Sequence, residues 1–274
     1  MFLFHIKIRC FILGVKEVRR IKRLSAIEEK FNKVVPPIIG ELNAILESED
    51  VSIGQVAEII KKDLILTSKV LRLANAPFYG FPGRIGSVED ALMILGLNTI
   101  KIIVYTMCIV DMMNTHYADL REHSVRVAEK AKALAENLDI PKVGEVYTAA
   151  LLHDFGKVAI KLTDPDYEEL KKEAKIKKIP LWQLEERELG INHTEIAANF
   201  LREWMFPERI IEMVEFHHEV EKSKNYLKET ALIHLVDALN NVQWSTKELK
   251  NFPGFSNKTF QILEIDPEKL DLLQ

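Results

Sequence analysis

Seven side chains between residues 123 and 237 of this sequence could ligate a metal or move a proton: His123, His153, Asp154, His193, His217, His218 and Asp237. His153 and Asp154 are adjacent and follow Ala149-Ala150-Leu151-Leu152, a small and apolar run that reads as a buried helix segment. Gly156 breaks the regularity two residues later. A buried carboxylate is costly unless it is paired, hydrogen-bonded or bound to a metal. Imidazole and carboxylate at a rigid helix end suit a divalent ion, although a core histidine bonded to its neighbour is at least as common. His217 and His218 continue the apolar stripe of Ile210 and Val214 at i+7 and i+8, and two histidines entering a core face need a reason. Neutral imidazole plus carboxylate, offered from facing helices, is the donor set of a bundle-core site for Fe, Mn or Zn. Local spacing does not show that these positions converge. His5, His116 and His234 read as ordinary surface or core histidines, His234 being the closest to the set because it lies one turn before Asp237.

The elements that must position these groups are helical by periodicity. Apolar residues recur at helical spacing from Val15 to about Ser48, interrupted at Pro36-Pro37. Ser52 with Gln55 predicts a capping box, and Asp63 predicts the cap of the next helix. After a loop over 75–84, Ser87 should cap a helix that Gly96 ends, with Asn98 capping a long apolar helix to about Met113. The polar Asn114-Thr115-His116 then predicts a break between two lobes. A helix from about Leu120 to Leu138 carries His123 near its start, and Asp164 to Lys178 reads as a solvent-facing charged helix. Asn192 and Glu195 form another capping-box pattern, which puts His193 in a first helical turn. Pro207 opens the helix that leads to His217, and Asp237 sits on the last clear helix, from about Glu229. Trp182, Trp204 and Trp244 are assigned to packing.

Bulk composition fits a globular chain: 274 residues, 47% hydrophobic and 28% charged, with 11 Gly and 10 Pro, few enough to favour long helices. A net charge of -4 argues against general nucleic-acid binding, and Lys61, Lys62, Lys69 and Arg72 read as a solvated helix face. Cys10 and Cys108 form no ligand motif and fit a reducing cytoplasm. The apolar segment 1–14 is interrupted by His5, Lys7 and Arg9, too short and broken to span a bilayer, and is treated as an extension outside the fold.

The order His, His-Asp, His, His-His, Asp resembles the HD superfamily of metal-dependent phosphohydrolases. Leu151-Leu152-His153-Asp154-Phe155-Gly156-Lys157 looks like its central signature, and His123-Ser124-Val125-Arg126-Val127-Ala128 like the helix of its first ligand. The stretch from Lys62 through Leu73-Ala74-Asn75 to Gly80, followed by Ser87 to Gly96, resembles the HDOD branch, the HD-related output domains of bacterial signalling proteins. The resemblance covers roughly residues 30–240. It implies an all-α fold, with a small N-terminal helical lobe (25–113) packed on an HD-like lobe (114–240), flanked by an extension (1–24) and a tail (241–274). It also implies two divalent ions. His123, His153, Asp154 and Asp237 would hold one, and Asp154 would bridge to a second held by His193 with His217, His218 or both. A water between two cations could then attack phosphorus, with Lys157 contacting a substrate phosphate.

Many HDOD domains have lost ligands, whereas this chain keeps the set. The Gly-Tyr-Pro element of cyclic-dinucleotide phosphodiesterases is missing after His217-His218, which disfavours cyclic di-GMP hydrolysis. The resemblance thus implies a cytoplasmic signalling output module acting through a protein partner or a small phosphorylated ligand, with a homodimer as one option. An active phosphohydrolase on a nucleotide or other phosphoester is the alternative, and di-iron redox chemistry is a third reading.

Overall fold

The computed structural model describes residues 15–46, 48, 50–75, 85–242 and 246–267. The expected N-terminal extension over 1–14, most of the loop over 75–84, and Trp244 lie outside the described residues. Among the described residues every regular element is a helix, so the protein is all-α. It forms two compact units, one made of residues up to Lys33 together with those from Asp119 onward, the other of Val34–Ala118.

The described residues begin with α1 (Val15–Phe31), which belongs to the larger unit. In the smaller unit, α2 (Pro37–Leu46) opens on a proline, whose missing N–H costs nothing at a helix start. Ser52 and Gln55 form the expected reciprocal capping box on α3 (Ile53–Lys61). Asp63 Oδ1 accepts from the Ile65 and Leu66 N–H groups at 2.9 and 3.0 Å, starting α4 (Leu64–Ala74). Asn75 donates to Ile85 O at 2.8 Å and accepts from Ile85 N at 3.0 Å, so it ties together the two ends of the segment that follows α4. Ser87 caps α5 (Val88–Leu95), and Gly96, at φ +80°, ends it.

The long helix α6 (Leu97–His116) departs from expectation at both ends. Asn98 lies inside its first turn and does not cap it. Gly96, free to take positive φ, turns the chain through 115° and lets α6 start at once. The helix also continues through Asn114-Thr115-His116, and the break falls at Tyr117, whose backbone leaves helical geometry. Val56, Ile60, Val70, Leu92, Ile100 and Val104 are buried on the facing sides of these helices. Among the described residues no single helix is long and apolar enough to cross a membrane.

The larger unit continues with α7 (Ala118–Asn137), α8 (Val143–Leu152), α9 (Phe155–Thr163), α10 (Tyr167–Lys177), α11 (Leu181–Leu189), α12 (His193–Glu203), α13 (Glu208–Phe216) and α14 (Leu227–Asn241). Short helices α15 (Thr246–Leu249) and α16 (Lys258–Leu263) close it. Phe31, Phe155, Phe200 and Trp204 are all fully or almost fully buried. Their rings meet at centroid distances of 4.7 to 5.8 Å and lock α1, α9 and α12 together. Lys30 Nζ reinforces this contact by donating to Thr163 O at 2.8 Å. The charged helix α10 is largely exposed as expected, but it buries Tyr167 and Ala174. The C-terminal helix α16 packs on α14 through Phe260 and Leu263.

Candidate metal centre

The seven singled-out side chains converge in the larger unit. They come from α7 (His123), the α8–α9 junction (His153 and Asp154), the start of α12 (His193), the end of α13 (His217 and His218) and α14 (Asp237). Their ligand atoms fall into overlapping groups within 4.8 Å: His123, His153 and Asp154; Asp154, His193, His217 and His218; and His153, His217 and Asp237. His153, His193 and His217 are fully buried and Asp154 is 1% exposed.

Local sequence explains why the groups arrive there. His153 ends α8 and Asp154 occupies the turn before α9, so one tight junction sends two side chains into the core. Gly156 is required two residues on. A Cβ at this position would stand 1.9 Å from the carbonyl oxygen of His193, so only glycine lets α9 approach α12 closely enough to bring Asp154 and His193 together. Asn192 Oδ1 caps α12 by accepting from Thr194 N and Glu195 N at 3.0 and 3.1 Å. The return half of the expected capping box is replaced, because Glu195 pairs with Arg20 at 3.1 Å.

The second ring nitrogens fix the orientation of the histidines. His153 Nδ1 bonds Ala150 O at 2.7 Å, His217 Nδ1 bonds Val214 O at 2.8 Å, and His193 Nδ1 bonds Glu185 Oε2 at 2.6 Å. Each bond leaves Nε2 aimed into the cluster, as metal-ligating histidines require. His123 Nδ1 meets the Asn240 side-chain amide at 2.8 Å, with Nε2 again inward.

The inward atoms crowd one another. His123 Nε2 is 3.3 Å from His153 Nε2, and His193 Nε2 is 3.2 Å from His218 Nε2. Asp154 Oδ2 lies 3.3 Å from His153 Nε2 and 3.6 Å from His123 Nε2, while Oδ1 lies 3.3 Å from His193 Nε2. Asp237 Oδ1 is 3.1 Å from His123 Nε2. Lys157, in the first turn of α9, puts Nζ 2.7 Å from Asp154 Oδ2.

Electrostatics follow from this crowding. Burial would lower the His153 pKa, but Asp154 and Asp237 outweigh it and push it up to about 10. Burial likewise opposes the ionised forms of Asp154 and Asp237, yet the facing histidines, and Lys157 for Asp154, hold both well below the usual carboxylate range. His217 is driven the other way. Burial, then the charges of His153 and His193, keep it well below its ordinary value and therefore neutral.

Two buried atoms at the centre, Asp154 Oδ1 and His217 Nε2, accept no hydrogen bond. An orphaned buried acceptor costs about 1–3 kcal/mol, and a cation bound between them would remove that cost. With nitrogen and carboxylate donors, oriented rings and orphaned acceptors, the cluster fits a divalent transition-metal ion.

The sequence reading missed two supporting residues, Glu185 and Asn240. Glu185 is fully buried on α11, where it accepts from Tyr167 Oη, from His193 N at 2.9 Å and from the His193 ring. Its signal was present, since Glu185 stands at i+4 from Leu181 and beside Leu184, on the apolar stripe of α11. Asn240 has only its i+3 spacing from Asp237 to mark it. His234 is a core residue, with Nδ1 donating to His217 O at 2.7 Å and Nε2 accepting from Ser256 N at 3.1 Å. Both of its nitrogens are used, so it steadies His217 without joining the cluster. Trp182 lies beside the site, its ring nearly parallel to His218 at 6.2 Å.

Comparison with known proteins agrees with this architecture. An uncharacterized protein of Treponema pallidum (strain Nichols) is 24% identical over 214 residues, 73% of this chain and 40% of that protein. YuxH of Bacillus subtilis (strain 168), also uncharacterized, is 30% identical over 82 residues, 30% of this chain and 20% of that protein. The chain thus spans less than half the length of these curated relatives. Among solved structures, an HDOD domain protein of unknown function from Geobacter sulfurreducens is 26% identical with a TM-score of 0.55, covering 92% of this chain and 93% of that one. A proposed phosphohydrolase from Shewanella amazonensis SB2B shares the fold at 22% identity and a TM-score of 0.59, covering 90% and 93%. The model of the HDOD domain matches residues 33–220, and on that match the chain belongs to the HDOD domain family.

Proposed function

We propose that this protein is a signal-transduction output module that binds divalent metal at the histidine–aspartate cluster and acts on a protein partner or a small phosphorylated ligand. The observation that carries the reading is the pair of buried, unbonded acceptors, Asp154 Oδ1 and His217 Nε2, among imidazoles whose other nitrogens are already bonded. A module that had abandoned metal would have no reason to keep this cost. In this reading His123, His153, Asp154 and Asp237 hold one ion, and Asp154 shares a second with His193, His217 and His218. Bound divalent ions would supply Lewis acidity, lowering the pKa of water and neutralising charge that develops on a phosphoryl group.

A second reading, metal-dependent hydrolysis of a nucleotide or other phosphoester, is favoured by Lys157. Its ammonium already lies at the cluster, and once released from Asp154 it could meet a phosphate oxygen. Cyclic di-GMP remains disfavoured, because the chain after His218 makes a short 3-10 turn at Val220–Lys222 without a Gly-Tyr-Pro element.

The test is elemental analysis of protein purified without added metal or chelator, beside Asp154→Ala and a panel of phosphomonoesters and phosphodiesters. Near-stoichiometric iron, manganese or zinc that disappears in Asp154→Ala supports the metal centre. Turnover of a panel member would select the hydrolase, and metal without turnover the binding module. Little metal in either protein, with the fold intact, would overturn both readings.

A further inference from the structure

The two halves of the cluster are not equally prepared for a cation. On the side of His123, His153 and Asp237, the carboxylate oxygens already have partners. Lys157 Nζ holds Asp154 Oδ2 at 2.7 Å, Asn241 Nδ2 donates to Asp237 Oδ1 at 3.1 Å, and His123 Nε2 also lies 3.1 Å from that oxygen. On the side of His193, His217 and His218, His217 Nε2 has no hydrogen-bond partner, and Asp154 Oδ1 has only the 3.3 Å approach of His193 Nε2, without a hydrogen bond. The histidines differ too. The rings of His153 and His217 lean on backbone carbonyls, whereas His193 Nδ1 leans on the buried carboxylate of Glu185, itself held by Tyr167 Oη and the His193 N–H. A carboxylate behind an imidazole makes its outer nitrogen a stronger donor, and such partners are worth 10–100-fold in metal affinity.

We propose that the centre loads in order. The first ion enters the His193 half, favoured by Glu185 as a positioning residue, and the second enters the His123 half only when Lys157 gives up Asp154 Oδ2. Lys157 thus stands in for the second cation while that position is empty. Its side chain is 20% exposed, so its ammonium has a route outward when displaced. This ordering rests on the metal-centre reading above and makes the second ion the regulated one, sensitive to any anion that draws Lys157 away.

Mn2+ titration of the full chain, followed by calorimetry and electron paramagnetic resonance, separates the two events. The wild type should bind one equivalent at least tenfold more tightly than the second. It should give an isolated manganese signal at one equivalent and an exchange-coupled pair at two. Lys157→Met should tighten the second equivalent tenfold or more and leave the first unchanged, while Lys157→Arg, which keeps the charge, should leave the second weak. Glu185→Gln should weaken the first equivalent about 10–100-fold with little effect on the second, and Glu185→Asp should recover part of the loss. If Glu185→Gln does not fold, the two Lys157 variants still decide. Equal wild-type equivalents, coupled signal from the first addition, or no selective gain in Lys157→Met would overturn the ordering while leaving metal binding intact. Failure of the wild type to bind Mn2+ at all would overturn the metal-centre reading and the ordering with it.

Discussion

Glu212 does at residue scale what no pattern in the chain announces. It sits on α13 and is buried. Its Oε1 accepts from Ser223 Oγ and from the backbone N–H groups of Lys224, Asn225 and Tyr226, at 2.7 to 3.2 Å, while Oε2 accepts from Asn225 Nδ2 at 2.9 Å. One carboxylate thereby organises the segment between His218 and α14. Burial alone would raise its pKa, but the bonds from Ser223, Asn225 and Tyr226 outweigh that and hold it at about 2. The folded value lies below the ordinary 4.5, so this stabilisation is complete above about pH 4.5 and is lost as pH falls toward 2. Linkage sets its size at about 3 kcal/mol. Denaturant midpoints of Glu212→Gln should therefore be lower than wild type at pH 7, with the gap closing by pH 2; a pH-independent gap would deny Glu212 this role. The seven cluster residues were legible because their types are costly in a core. Glu212, whose partners are mostly backbone N–H groups, and Asn240, a neutral amide on a helix, left no comparable mark.

At the scale of elements, the site depends on how closely α9 meets α12, and Gly156 sets that distance. A Cβ there would run into the His193 backbone at 1.9 Å, and backbone cannot step aside as a side chain can. Gly156→Ala should cost about 1–3 kcal/mol through overpacking and should also part Asp154 from His193, so that metal content falls with the melting temperature. Gly144 on α8 is the control. A Cβ at this position meets nothing within 4 Å, so Gly144→Ala should be neutral or stabilise by up to about 1 kcal/mol, with metal content unchanged. Equal effects from the two substitutions would show that the α9–α12 contact does not set the site. Helix starts were the most legible feature: Ser52, Asp63, Ser87 and Asn192 all cap where their side-chain chemistry predicts. The ends of α6 were not. A positive-φ glycine can start the next helix without a side-chain cap, and a short polar run on a long apolar helix need not break it.

At the scale of the whole molecule, helical periodicity and scarce Gly and Pro made long helices readable, and the resemblance to the HDOD branch implied the all-α class that the fold shows. The convergence of His123 with Asp237 across the larger unit was not readable, because spacing reports which face a residue occupies and not which distant face it meets. The HD-type order of ligands supplied that information, and the distances now bear on it directly. Among the described residues, all candidate ligands lie in the unit that contains α1 and α7 to α16, and none in Val34–Ala118. A ligand that binds only the folded state stabilises what it touches, by about 2.7 kcal/mol at a free concentration one hundred times its Kd. Amide hydrogen exchange with and without Mn2+ should therefore show protection rising in α7, α8, α9, α12, α13 and α14. If the two units open independently, exchange in α2 to α6 stays as it was. Equal protection of α2 to α6 would mean that the smaller unit opens only together with the larger one, giving metal binding a means of changing what the smaller unit presents to a partner. Protection confined to the larger unit would instead leave any signal to be carried by the surface around the metal centre itself.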